Sequence, residues 1–577
     1  MLVRTPIHSP IQSRRSFLAD ICVFLGIGAI IYATFRFAGQ WDAQYNPTYD
    51  IDLSLSALPL YALFSALRGL VAYAISLLFT FAVGYWAAHS PSAEKVIIPM
   101  LDVFQSIPVL GFLPGLVLGL VALFPNTNMG LELAAILMIF TGQVWNMTFA
   151  FYSSLKAVPG DLREASTIMG LSKSARFLTL ELPFASVNLV WNSIMSMAGG
   201  WFFLTVCEAF TLGTTQYRLP GLGSYMAVAI EKSDTSAMIA GVLAMAFVII
   251  VMDLLIWRPA LAWVHRYRIE ADAQGVVEDR LLRFIFAHSS VLRLFKKIAV
   301  YRKQRKLFRV RPVPFHLNLK FGFKLPRFQA RWLGWPLFIG ILIVMSLASF
   351  KLVTTLASVA LDQWWLILQG TFFTFLRVVG SLLISTLWAL PAGIWLSRGN
   401  RRLRIAQPIA QLLASFPAPM LYPLVLSITF GVGLAFSWSS MILMLLGVQW
   451  YVLFNTLAGG LRISKEIDDS MSLIGSSKKD KWRYLYFPSV FPSLVTGWVT
   501  AAGGAWNASI VAEYLSFNGQ TLQTNGLGAL ISISAAKENF PMLAACLVVM
   551  VVFVILLNRY VWDKIYHISQ TRFRLDF

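Results

Sequence analysis

The chain has 577 residues, a formal net charge of +20, 57% hydrophobic residues and only 13% charged ones. Its apolar residues gather in runs of about twenty, the length that crosses a bilayer, so the composition excludes a water-soluble globular enzyme and defines a multi-pass membrane protein. Cys22, Cys207 and Cys546 all sit in apolar runs without Cys-x-x-Cys or Cys/His spacing, and no Gly-Lys dipeptide occurs, which argues against a disulfide framework, a metal site, a bound cofactor and a phosphate-binding P-loop.

At the start, Arg14 and Arg15 in "SRRSFLAD" have the look of a twin-arginine export signal, but the apolar run from Phe17 continues as a full span. The pair is read as a positive-inside anchor, and no cleaved peptide is expected. Apolar length then predicts helices at 20–37, 59–87, 98–123, 131–153, 184–210 and 236–257, followed by 332–350, 366–396, 408–435, 437–457, 489–515 and 541–561. These twelve spans describe an all-α integral membrane fold. A first six-helix unit covers 1–257, a basic linker 258–331, and a second six-helix unit 332–577.

Lys and Arg fix the orientation, because positive loops are retained in the cytoplasm. Arg398, Arg401, Arg402 and Arg404 follow the eighth span, two polar segments near residues 164–183 and 469–488 are basic, and the external stretch 41–58 has no Lys or Arg. Both termini and both polar segments are therefore expected in the cytoplasm. The linker from Arg258 to Arg331 carries eighteen Lys and Arg against four Asp and Glu. Topology and anionic membrane lipids explain that excess, and no nucleic-acid partner is expected. Within it, Leu281, Phe284, Ile285, Leu292 and Phe295 share one helical face opposite Arg283, Arg293 and Lys297, a pattern open to two readings, a helix on the inner leaflet or a loosely ordered connector.

The two units are related. An offset of 305 superposes Gly142 on Gly447, Trp145 on Trp450, Gly170 on Gly475, Pro183 on Pro488, Trp201 on Trp506, Glu208 on Glu513 and the triplet from Gly221 on that from Gly526. Upstream the offset is 309, matching Arg68 with Arg377, Ser106 with Ser415 and Pro108 with Pro417. Six spans per unit make the repeats parallel, with a pathway expected between them and the polar segments side by side.

The first polar segment reads Glu164-Ala165-Ser166, three residues, Gly170, nine residues, Leu180-Glu181-Leu182-Pro183. That spacing resembles the cytoplasmic signature of bacterial ABC importer permeases. The second copy keeps Gly475 and Pro488 but begins Asp469-Ser470-Met471. With "FQSIPVLGFLP", "GQVWNMTFAFYSSLKAVPGDLREASTIMG" and the paired Gly-Leu-Gly triplets, the chain looks most like the nitrate/taurine branch, two permease units fused in one. The resemblance implies a type I importer fold in a bacterial inner membrane and a small-anion cargo such as nitrate, a sulfonate or bicarbonate. It also implies two copies of a separate ABC ATPase docked on the coupling segments, and a periplasmic or lipid-anchored solute-binding protein. Alternatives are a fused permease for ferric iron or thiamine, and a major-facilitator transporter, whose usual loop motif is replaced here by "AAHSPSAEKV".

By the same resemblance the coupling residues are Glu164, Ala165, Gly170, Leu182, Pro183, Asp469, Gly475 and Pro488. A carboxylate near the start of a short helix suits the macrodipole, and the glycine permits the turn that ends it. The divergent second copy is expected to dock its ATPase less tightly. Pathway or gating candidates are Trp201, Glu208, Trp506 and Glu513, each Glu seven residues after a Trp and so near the same helical face. About 38 Å of helix separates Pro183 from Glu208 at 1.5 Å per residue, which sets Glu208 near the external interface. Ser106, Pro108, Ser415 and Pro417 mark either a helix kink or a cavity lining. Trp145 and Trp450 read as packing aromatics, and the Gly-Leu-Gly triplets as external turns or a rim for a binding protein.

Overall fold

A computed structural model describes residues 28, 32, 34–41, 43–106, 108–213, 215–264, 343, 346–347, 349–517 and 520–572. Contacts divide the chain into two compact units, residues 1–32 with 278–360, and residues 33–277 with 361–577. In the first, residues 349–357 are helical. The second contains both repeats and everything discussed below. The amphipathic stretch 281–297 and most of the expected spans 20–37 and 332–350 lie outside the described residues.

The first repeat runs α1 (Leu58–Phe79), a π-turn (Thr80–Gly84), α2 (Tyr85–His89), α3 (Pro91–Ser106), a 3₁₀ turn (Val109–Phe112), α4 (Leu113–Leu123), α5 (Met129–Lys156), α6 (Gly160–Ile168) and α7 (Lys173–Arg176). A π-turn (Phe177–Glu181) then leads into α8 (Leu182–Glu208), β1 (Ala209–Leu212), β2 (Thr215–Arg218), α9 (Leu222–Glu231), α10 (Thr235–Met252), a π-turn (Asp253–Trp257) and α11 (Arg258–Val264). The second runs α12 (Leu361–Ser397), α13 (Asn400–Ser415), α14 (Ala418–Gly431), α15 (Phe436–Leu461), α16 (Lys465–Leu473) and α17 (Lys478–Lys481). After a π-turn (Trp482–Tyr486) come α18 (Phe487–Ala512), β3 (Tyr514–Phe517), β4 (Gln520–Gln523), α19 (Leu527–Ala536), α20 (Phe540–Leu557), a π-turn (Asn558–Trp562) and α21 (Asp563–Arg572).

The 305 register read from sequence is kept in three dimensions, since α6 and α16, the hairpins, α9 and α19, α10 and α20, and two pairs of π-turns start at equivalent residues. Seven described helices are long and apolar enough to cross a membrane, or eight if one bent pair counts as a span. The architecture is that of an all-α integral membrane protein carrying two small antiparallel hairpins.

Three expectations change. The spans at 98–123 and 408–435 are not kinked single helices: α3 stops at Ser106 and α13 at Ser415, and helix resumes only beyond Pro108 and Pro417, with a 91° bend across the second break. Proline disfavours the α conformation of the residue before it, and Phe416 and Pro417 are accordingly extended. The spans at 184–210 and 489–515 end earlier, at Glu208 and Ala512, where the chain turns into a hairpin. The span at 236–257 runs on through α11 to Val264, into the segment assigned to the linker.

Packing inside each repeat follows small residues. α5 packs on α8, where Met147, Phe151 and Leu155 meet Ala185 and Leu189. α15 packs on α18, where a side chain at Gly497 would strike Asn455 and the backbone of Tyr451. The repeats also hold one another. α8 lies against α13 and α14, α18 against the 3₁₀ turn at 109–112, and Gly213 N–H donates to Ala535 O at 3.3 Å.

Candidate functional site

Three constellations stand out, and the first is the pair of short helices α6 and α16. Each ends in the same cap. Gly170 N–H donates to Thr167 O and Leu171 N–H to Ser166 O at 2.9 and 3.1 Å, and Gly475 and Ser476 repeat this with Ser472 and Met471 at 3.1 and 3.0 Å. These are Schellman caps, which need a left-handed residue after the helix, and φ is +67° at Gly170 and +76° at Gly475. Ser172 and Ser477 then cap α7 and α17 by accepting from Ala175 and Asp480 N–H at 3.2 Å.

Glu164 and Asp469 are exposed, but each is the fifth residue of its helix, so the expectation of a carboxylate near the start does not hold for them. The first turns carry Asp161 in one helix and Glu466 and Asp468 in the other, the positions where the macrodipole acts. Ala165 is half-buried, and Leu182, Pro183 and Pro488 stand half-buried at the entrances of α8 and α18. Sequence reading missed the tips. Ile168 and Met169 are 87% and 77% exposed, and their equivalents Leu473 and Ile474 are 87% and 77% exposed. Four large apolar side chains are thus exposed at two equivalent points of the repeats.

The bases of these helices differ. Around α16, Lys481 donates to Asp468 Oδ1 at 2.8 Å and to Ser472 Oγ at 2.5 Å, Tyr486 donates to the same Oδ1 at 2.8 Å, and Arg398 lies 3.5 Å from Asp468 Oδ2. Burial works against ionisation of Asp468, yet these partners outweigh it and hold the carboxyl below its ordinary value. The equivalents are His89, Arg163, Arg176 and Glu181. There the carboxylate has moved to the other side of the site, His89 Nε2 lies 3.0 Å from Glu181 Oε1, and Arg163 bonds the Leu155 carbonyl instead.

The second constellation holds the predicted pathway carboxylates. Glu208 and Glu513 are fully buried, as are Trp201 and Trp506 at 2% exposure. Arg68 chelates Glu132 through Nε and Nη2 at 2.8 and 2.7 Å and bonds Glu208 through Nη1. Ser65 Oγ donates to Glu208 at 2.7 Å and accepts from Leu222 N–H at 2.9 Å, while Gly223 N–H reaches Glu208 Oε2 at 2.6 Å. In the second repeat Arg377 Nη1 bonds Glu513 at 2.8 Å, Thr374 takes the place of Ser65, and Gly528 N–H reaches Glu513 Oε2 at 2.9 Å. Ser437, at 3.0 Å from Arg377 Nη2, stands where the first repeat has Glu132.

Each glutamate thus receives the amino end of the following helix, where aligned N–H groups favour an anion. This explains the Gly-Leu-Gly triplets differently from an exposed turn or rim. All six residues are buried, and a Cβ at Gly221 or Gly526 would lie 2.4 or 2.1 Å from the glutamate side chain. Matched buried arginines at 68 and 377 were visible in the sequence repeat, and an ionisable pair inside two apolar runs was the available signal.

The third is a cavity of about 100 Å³ between the repeats. α8 contributes Phe202 and Phe203, the α13–α14 break contributes Phe416, and α15 contributes Trp450, Tyr451 and Phe454. Trp450 therefore lines a space, whereas Trp145 stacks on Phe104 at 5.9 Å. Ser415 lines a smaller cavity beside Trp201 and Trp257, with its hydroxyl donating to Gln411 O at 2.8 Å. Pro108 and Pro417 are buried next to their breaks. Among the described residues no cluster of His, Cys, Asp and Glu is arranged to hold a metal.

A duplicated helical membrane unit with paired exposed loops and a cavity at its centre has the form of a transport permease. The model of the family described as the binding-protein-dependent transport system inner membrane component matches twice, over residues 80–257 and 385–574, and the chain belongs to that family. It is similar to a protein of Methanocaldococcus jannaschii that carries the name ABC transporter permease, 24% identical over 201 residues, covering 34% of this chain and 72% of that one. It is also similar to the glycine betaine transport system permease of Bacillus subtilis, 23% identical over 191 residues, 31% of this chain and 58% of the relative.

Proposed function

We propose that this chain forms the complete membrane pathway of an ATP-driven importer in a bacterial inner membrane, with α6 and α16 as the two seats for a pair of separate ABC ATPases. The carrying observation is the equivalent exposure of Ile168–Met169 and Leu473–Ile474 on identically capped helices. Partners in this family are ATPases, and one chain offers two seats. In this orientation α6 and α16 face the cytoplasm with both termini, and the hairpins face outward toward a periplasmic or lipid-anchored solute-binding protein. Glu208 and Glu513 secure the packing and gating of the outer ends and do not touch cargo. The isolated chain should hydrolyse no ATP, and native mass measurement of the assembled transporter should give one permease chain per two ATPases. Two permease chains per two ATPases would refute the fused reading.

Two cargo readings differ in charge. The sequence resemblance supports a small anion such as nitrate, a sulfonate or bicarbonate, which a cationic side chain or a set of N–H donors would hold, and the buried Arg68 and Arg377 are both already engaged by carboxylates. The aromatic cavity favours a second reading, a solute bearing a quaternary ammonium, the kind of cargo named for the Bacillus subtilis relative. Uptake of labelled glycine betaine into proteoliposomes, challenged with excess nitrate or taurine, separates them. Uptake of labelled nitrate or taurine in the same proteoliposomes, with no betaine uptake, supports the first reading.

A further inference from the structure

We propose that the cavity between α8 and the second repeat is a binding site for a quaternary ammonium group, held by the ring faces of Trp450, Tyr451 and Phe454 with no charged side chain. The proposal rests on the import reading and assigns the chemistry of its central cavity. Six aromatic side chains line the space, and no Lys, Arg, Asp or Glu does. Ring faces carry the negative lobe of the aromatic quadrupole, so they attract a cation and repel an anion. A primary ammonium would bring three N–H donors that need partners. A quaternary ammonium has none, and it enters an apolar wall without leaving a donor unpaired.

The polar inventory of the cavity agrees. Asn507 lines it, and its amide nitrogen donates to Gly503 O at 3.2 Å, while its carbonyl oxygen is buried with no partner. An unpartnered amide acceptor in an aromatic chamber suits the polarised C–H groups next to a quaternary nitrogen, or a hydroxyl carried beyond it. Space is sufficient, since about 100 Å³ is several times what one water requires. Two glycines keep it open. A Cβ at Gly447 would meet only Ala418 Cβ, at 3.9 Å, and one at Gly504 would meet Tyr451 and Val448 at 3.5 Å.

The test measures binding to the purified full chain in nanodiscs by isothermal titration, using choline, its neutral isostere 3,3-dimethylbutan-1-ol and sodium nitrate as probes. Choline should bind about tenfold more tightly than the isostere, the scale of a desolvated cation–aromatic contact, and nitrate should not compete. Trp450→Leu should bring choline and isostere within about twofold of each other. Gly447→Leu, whose side chain grows into the cavity, should abolish choline binding. If Trp450→Leu does not insert, Gly447→Leu decides alone. Equal affinity for choline and isostere, competition by nitrate, or choline binding that survives Gly447→Leu would each overturn the assignment. No ATPase is present in this experiment, so its failure leaves the ATPase seats standing, and failure of ATPase docking leaves this binding intact.

Discussion

Replacing each buried glutamate by glutamine should expose an inequality between the two charge clusters. In the first repeat Arg68 faces two carboxylates, and Glu208→Gln leaves it chelated by Glu132 at 2.7 and 2.8 Å, a neutral pair. The cost is one mispaired amide among good donors, about 1–2 kcal/mol. In the second repeat Glu513 is the only carboxylate on Arg377 among the described residues, and the other partners given to Arg377 are Ser437, Thr524 and the Asn525 carbonyl. Glu513→Gln therefore leaves a buried guanidinium without a counter-charge, a loss of about 3–5 kcal/mol. Ser437 occupies the position of Glu132, so Ser437→Glu added to Glu513→Gln should recover much of that loss. Equilibrium unfolding of the purified chain in mixed micelles by SDS titration, followed by tryptophan fluorescence, reads the difference. Equal losses for the two single variants, or no recovery in the double variant, would refute the charge-balance reasoning.

Ile168→Asp and Leu473→Asp should each weaken ATPase association at least tenfold in a pull-down while leaving the thermal melt of the chain unchanged, because these side chains are exposed; a lowered melting temperature would count against a docking role. Gly170→Val and Gly475→Val impose the same local strain, about 1–2 kcal/mol or more for a β-branched residue at positive φ, with open space at both sites. A greater loss of ATP-driven uptake at Gly170 would then report tighter docking by the first copy, and equal loss would mean that the second copy is matched to its own seat. Asp468→Asn should speed amide exchange in residues 465–473 a few-fold at neutral pH, the scale of a partly buried ion pair. Since the Asp468 carboxyl sits below its ordinary 3.8, its tether contributes fully above that value and is lost only as the pH falls through the lower, folded value. Protection of these amides relative to their intrinsic exchange should stay constant in the parent chain between pH 5 and 8, and a loss of protection within that range would contradict the assignment.

The membrane class, the duplication and the register were legible because helix length and repeat spacing depend on local composition. What the sequence hid was what depends on partners across the fold. Ser106-Ile107-Pro108 and Ser415-Phe416-Pro417 read as a kink or a cavity lining within one span and not as a break, because one proline bends a helix and only packing decides how far. The hairpins lie at the ends of apolar runs, where "AFTLGTTQYR" is too short and too close to a helix to announce itself, although Gly213 inside a Phe, Thr and Tyr stretch is a turn signal. Gly-Leu-Gly looked like a loop since glycine signals both freedom and close approach. Here the approach of Glu208 and Glu513 governs. Glu164 drew attention by its place in a motif, whereas Ile168 and Leu473 are ordinary residues that stand out only by their exposure in the fold.

The cavity draws unequally on the two repeats. From α8 come Phe202 and Phe203, and at the equivalent places in α18 stand Asn507 and Ala508. A permease assembled from two identical copies must present every contact twice, so a solute without twofold symmetry meets at least one of them badly. Joining the copies end to end removes that restriction. Each half is then free to drift toward a different part of the same solute while the caps of α6 and α16 stay alike, and the cavity and the paired helix ends become separately adjustable features of one polypeptide.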